Sequence, residues 1–167
     1  MEWNEFVENV QRWAAERGIY EHSTAFTQLG KSVEEFSELY LAFVKNDKAG
    51  VKDGVGDVAV TLVNVATMLD INLKKEGQIW VDCRTSRLIY SLHVCIGRLI
   101  DEVTKLGDVS TATLEASFGA SIYALRGIAQ NEGLSFGECL ATAWDAIKDR
   151  KGRMVPGGVF VKENSDD

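Results

Sequence analysis

Apolar residues recur at three- and four-residue steps along most of the chain, the spacing that turns one face of an α-helix toward a core. Trp3, Phe6, Val7, Val10, Trp13 and Ala14 form the first such stripe, and Gly18 supplies a stop after it. A second helix is predicted from Ser23 or Thr24, either of which can cap it, to about Val44. The loop NDKAG follows, and then a third helix from about Asp53 to Leu69. Past an apolar turn around Trp80, helices are predicted from about Thr85 to Leu106 and from Ala112 to Gln130, the latter capped by Ser110 or Thr111. A last helix spans Ser135 to Arg150, where Ser135 and Glu138 have the spacing of a capping box. The period then shortens, and Met154-Val155 and Val159-Phe160-Val161 flank Pro156-Gly157-Gly158 as a small hairpin. No linker divides the chain. The expectation is an all-α helical bundle, one domain over residues 1–163 with a short C-terminal β-hairpin, and a frayed tail over 164–167.

The third helix departs from the amphipathic pattern. From Val55 it is apolar nearly all the way round, which marks a helix buried on most faces. Its polar exceptions, Asp53, Asp57, Thr61 and Asn64, form one seam, each within about 60° of the next. A buried carboxylate must be paired or bound to a metal, because uncompensated burial costs several kcal/mol. No lysine or arginine falls within the predicted span to pair with Asp57. The helix before it carries Glu34, Glu35 and Glu38, roughly opposite Phe36, Leu39 and Phe43. Taken alone, those glutamates read as a solvated face, and Asp53 reads as a helix cap. A short loop makes the two helices antiparallel neighbours, however, and the acids then face one seam. Carboxylates that close repel one another unless a divalent cation lies among them. All-oxygen ligands select magnesium, manganese or calcium over zinc.

Composition narrows the partners. With 167 residues, 46% of them hydrophobic, the chain can bury one sizeable core. A net charge of −7 argues against a nucleic-acid polymer or an anionic membrane as partner, while a small anion arriving with its own metal ion stays admissible. Cys83, Cys95 and Cys139 form no CxxC pair and read as thiols buried in a reducing compartment. The opening MEWNEFVENVQRW lacks the basic-then-apolar order of a signal peptide, and no apolar run reaches the ~18 residues of a membrane span. The expectation is a soluble, cytoplasmic protein.

Gln28, Lys31, Glu34-Glu35 and Glu38, followed by Gly56-Asp57 and by Asn64 seven residues on, resemble the Q-x-x-K-x-x-E-E-x-x-E lead-in and the later acidic motif of the MazG-like, all-α nucleoside triphosphate pyrophosphohydrolases. The ending AIKDRKGRMVPGGVFVKE is similar to that of small, phage-type members. The likeness touches roughly residues 3–70 and 136–163. It implies magnesium-dependent hydrolysis of a ribo- or deoxynucleoside triphosphate to the monophosphate and pyrophosphate, with manganese as a possible substitute. It gives Glu35, Glu38 and Asp57 to the metal, and Glu34 the role of general base or second-metal ligand. Lys31, Lys148, Arg150, Lys151 and Arg153 become phosphate contacts, and Asn64 either a contact to base or sugar or a partner for buried backbone. For the four cations after the last helix, the alternative is complementing the helix dipole, with Gly152 as the residue that ends the helix. One departure stands out. Gly54 occupies the place of the first Glu of the family's ExxD, and Asp53, one residue earlier, is the substitute fourth ligand. The resemblance also implies a homo-oligomer, a dimer or tetramer that completes the site, unless the helices over Thr85–Gln130 complete the bundle within one chain. The rival reading is a catalytically inactive helical interaction protein that keeps the fold, and Gly54 is its main support.

Other motifs carry less. AFTQLGKS has loose P-loop spacing, but no strand precedes it, and GVGDVA mimics a dinucleotide fingerprint with the same defect. His22 and His93 lack the Glu-x-x-His context of a di-iron bundle and read as structural. Trp3, Trp13, Trp80 and Trp144 read as core or interface aromatics, with stacking on a base the alternative for one of them.

Overall fold

The structure, a computed structural model, describes residues 1–73, 83–105 and 108–162. Among these residues the chain forms helices α1 (Trp3–Glu16), α2 (Ile19–His22), α3 (Ala25–Val44), α4 (Lys48–Met68), α5 (Thr85–Thr104), α6 (Thr111–Asn131) and α7 (Phe136–Ile147). Strands β1 (Gly152–Val155) and β2 (Val159–Lys162) follow. The fold is all-α with a two-stranded C-terminal hairpin. The predicted turn around Trp80, the end of the fourth predicted helix at Leu106 and the tail over 164–167 lie outside the described residues.

Local chemistry sets most boundaries. Gly18, at φ 68°, takes the left-handed conformation that stops α1 at little steric cost. The side chains of Thr24 and Ser110 accept the backbone N–H of Thr27 and Thr113, at 3.1 and 3.2 Å, and start α3 and α6. Three expectations need correction. The cap of α4 is Asp47, which accepts the Gly50 N–H at 3.0 Å, so the helix begins at Lys48 and Asp53 lies inside it. Ser135 makes no side-chain cap bond, so the capping box with Glu138 does not form. The last helix ends at Ile147, and Gly152 belongs to β1 rather than to a helix stop.

Two antiparallel helix pairs make the bundle. In the first, Gly50 lies against Ala42 and Gly54 against Leu39, which sets α3 and α4 side by side in opposite directions. In the second, at the end of α6, Asn131 donates to the Cys83 carbonyl just before α5 and Glu132 accepts from the Thr85 hydroxyl at its start. The pairs pack through α3 on α5 and α4 on α6, so the four-helix arrangement is completed within one chain. On its other side α4 meets α7 and α1. Neighbours all round explain why α4 is apolar all round, with Val55, Val58, Leu62, Val63 and Val65 buried.

Glycines let these helices approach closely. A Cβ at Gly54 would sit 2.9 Å from Leu39 Cα, and one at Gly56 would sit 2.5 Å from the Cys139 carbonyl oxygen. The hairpin pairs Gly152 with Lys162 and Val155 with Val159, and its turn residue Gly158 rests against the His22 carbonyl and Ser23. Among the described residues no helix is long and apolar enough to cross a membrane.

Candidate active site

The seam between α3 and α4 opens into a cavity of about 640 Å³, within the range of small-molecule sites. One wall carries Glu34, Glu35 and Glu38 from α3 and Asp53 and Asp57 from α4. The antiparallel pairing predicted for these helices therefore brings all five carboxylates to one cavity. Lys31, Thr61, Asn64 and Arg150 also line it. Its lining also includes apolar residues from five elements: Trp13 from α1, Ile19 from α2, Val60 from α4, Ile147 from α7 and Phe160 from β2.

Burial grades along the cavity. Glu34, Glu38 and Asp53 are exposed, Glu35 and Asp57 are half-buried, and Ile147, Trp13 and Asn64 are only 4%, 6% and 3% exposed. Among the apolar lining residues Phe160 is half-buried like Glu35 and Asp57, and Trp13, Ile19 and Ile147 are buried. Lys31, one turn before the glutamates, donates to Glu34 at 2.5 Å and lies 3.6 Å from Glu35. Burial raises the Glu35 pKa, and the Lys31 charge opposes that rise. Asp57 is pushed up to about 7, first by burial and then by repulsion from Asp53 and Glu35, with Arg150 pulling the other way. The helix that holds Asp57 does contain Lys48 and Lys52, because it starts early. The cation that offsets Asp57 nevertheless comes from the segment after α7.

Arg150 is placed by a clasp from α1. Arg17 donates through Nε to the Arg150 carbonyl at 3.0 Å and through Nη2 to the Lys148 carbonyl at 3.1 Å, while its guanidinium lies over the Trp13 ring. The rest of the predicted cation cluster is absent from the cavity lining. Lys148 is bonded to Asp145 at 2.6 Å, and Lys151 and Arg153 are exposed. His22 and His93 do not line the cavity; His93 lies beside Phe36 with ring centroids 5.3 Å apart and planes tilted by 34°. Ala25–Ser32, the loose P-loop match, lies wholly within α3 and cannot form a phosphate loop.

Hard oxygen donors are the right chemistry for magnesium. Among the described residues, however, no group of three His, Cys, Asp or Glu side chains is gathered so as to hold a metal ion. Sequence reasoning found the acids and Asn64 but missed Ile19, Ile147 and Phe160, and it read Trp13 first as a core residue. Apolar periodicity marks such residues as buried without telling which of them border a cavity.

Comparison with known proteins gives one relative of note. An uncharacterized 18.2 kDa protein in the rep-hol intergenic region of Haemophilus phage HP1 (strain HP1c1) is 26% identical over 156 residues, covering 83% of this chain and 96% of that protein. No family model matches the chain, and no solved structure matches it.

Proposed function

We propose that the protein hydrolyses a nucleoside triphosphate to the monophosphate and pyrophosphate with magnesium, as the MazG-like resemblance implies. The observation that carries this reading is the cavity itself: five carboxylates from two adjacent helices line it, together with the apolar side chains of Trp13, Ile19, Ile147 and Phe160. Mutual repulsion and burial leave Asp57 poorly stabilised as an anion, a condition that a divalent cation relieves.

In this reading Glu35, Glu38 and Asp57 would hold the ion, with Asp53 completing the set, after turning together from positions in which they are not gathered around one point. Magnesium held by these carboxylates would supply neutralisation of phosphate charge and a lowered pKa for a bound water. Glu34, whose carboxylate Lys31 orients, accepts a proton from the attacking water. Arg150, which lines the cavity, would meet phosphate charge. The rival, an inactive helical interaction protein, drew its support from Gly54. That glycine has a packing reason, since any Cβ there would press on the α3 backbone. Asp53, on the cavity wall, supplies the carboxylate instead.

Phe26, Val33, Tyr40 and Val44 stand exposed along one stripe of α3, away from the acids, and would be covered in a homodimer. The bundle needs no second copy to close. Turnover of a triphosphate panel by wild type, Glu38→Gln and Asp57→Ala tests the assignment. Magnesium-dependent turnover that falls at least about 100-fold in both variants is expected. Unchanged turnover in the variants would place the chemistry elsewhere.

A further inference from the structure

Part of the cavity wall stands apart from the helical bundle. Gly158 and Phe160 of the hairpin line the cavity, yet among the described residues no hydrogen bond and no ion pair joins the hairpin to the helices. β1 and β2 pair with each other. Contact alone seats them on the bundle. The Phe160 ring lies 6.1 Å from that of Trp13, tilted by 58°, and Met154 packs half-buried against the core. At the tip, a Cβ on Gly158 would stand 2.9 Å from both the His22 carbonyl oxygen and the Ser23 Cα, so a glycine lets the turn rest there. Elements held by few contacts and no bonds open at lower free energy than the core around them.

The root of the hairpin is fastened differently. Arg17 holds the Lys148 and Arg150 carbonyls, and the Arg150 N–H donates to the Ile147 carbonyl at 2.9 Å. Those bonds stop at Arg150. Lys151 follows, exposed and in neither helix nor strand, and Gly152 opens β1. A pinned root, a loosely seated blade and a short joint between them are the parts of a hinge. One group is left unsatisfied with the blade down. Trp13, which lines the cavity, has its Nε1 buried without a hydrogen-bond partner among the described residues. An unpaired buried donor is rare and costs free energy. Lifting Phe160 from Trp13 hydrates that N–H and favours an open state of the empty protein. An occupant that brings an acceptor to Trp13 gives the donor a partner and favours the closed state, which is the differential affinity a lid requires.

We propose that the C-terminal hairpin is a lid that turns as one body about Lys151 and Gly152, opening to admit a ligand and closing on it. Arg17 keeps Arg150 at the cavity in both states, so the cation stays while Gly158 and Phe160 leave. The lid's ligand rests on the nucleotide reading of the cavity, but its motion does not.

Nitrogen-15 relaxation dispersion of the backbone amides, which reads exchange on the microsecond-to-millisecond scale, tests this. In the free protein the amides between Gly152 and Val161 are expected to share one exchange process, with flat profiles at Lys148–Arg150 and along α1. Saturation with magnesium and the α,β-methylene analogue of ATP or UTP, in which cleavage between the α- and β-phosphates is blocked, should quench that process. Arg17→Ala should spread it to Lys148–Arg150. Phe160→Ala should weaken the analogues about fivefold in calorimetry and leave the melting temperature within about two degrees of wild type. Flat profiles in the hairpin, exchange that begins inside α7, or exchange that the bound analogue leaves unchanged would overturn the proposal. So would a Phe160→Ala protein that melts far lower, because the hairpin would then be part of the bundle. A hairpin that exchanges and is quenched by the analogue, in a protein that cleaves no triphosphate, would keep the lid and sink the hydrolase reading. Turnover with a rigid hairpin gives the reverse, and failure of both analogues to bind would remove the lid's ligand and the nucleotide reading together.

Discussion

Asp57 concentrates the electrostatics of the site. Its carboxyl is raised from an ordinary value of 3.8 to about 7, so its anion is less stable in the folded chain than in the unfolded one. Folding therefore gains nothing from this group below pH 4, where both states are protonated, and loses stability as pH climbs from about 4 to 7. Metal-free Asp57→Asn protein should melt a few degrees higher than wild type at pH 8 and no higher at pH 4, measured by circular dichroism. Added magnesium should close that gap by stabilising wild type alone. Gly54 makes a second case. Gly54→Ala places a Cβ 2.9 Å from the Leu39 backbone and should cost about 1–3 kcal/mol in urea denaturation, with no gain in metal affinity. Asp57 and Asn64 were legible in the sequence because polar residues on an all-apolar helix stand out. Trp13 and Phe160 were not, since each looks like a core aromatic until the fold sets them on one cavity.

Helix α4 was misplaced at its start for an identifiable reason. Gly50 within NDKAG reads as loop, and Asp53 looks like the first good cap. The chain uses Asp47 instead, and Gly50 serves close packing against Ala42. Asp47→Ala should therefore lower stability by about 1 kcal/mol, whereas Asp53→Ala should carry no capping penalty; paired thermal melts decide it. The segment after α7 was likewise taken as helix, because its basic residues suit a helix end. Arg17 explains where that segment goes: it holds the Lys148 and Arg150 carbonyls against α1. Arg17→Ala should free the connection and speed tryptic cleavage at Lys148 and Lys151 several-fold, with cuts elsewhere unchanged. Uniformly faster digestion would mean global destabilisation instead. The hairpin was readable from its change of period, but nothing in its own residues announced that Gly158 and Phe160 wall a cavity.

Across the bundle, α3 and α4 carry the acids, and α5 and α6 close the same four-helix arrangement without adding a residue to the cavity. A site built in one chain should work as a monomer even if the exposed stripe on α3 drives dimerisation. The phage relative is similar over 96% of its own length. Product identity bears most directly on the proposed chemistry. A purified nucleoside triphosphate with magnesium and protein, followed by phosphorus NMR, should yield the monophosphate and pyrophosphate, and Asp57→Ala should yield neither. Diphosphate with orthophosphate, or the same products from Asp57→Ala, would contradict the reading, and intact triphosphate across the whole base panel would move the inactive interaction protein ahead of it.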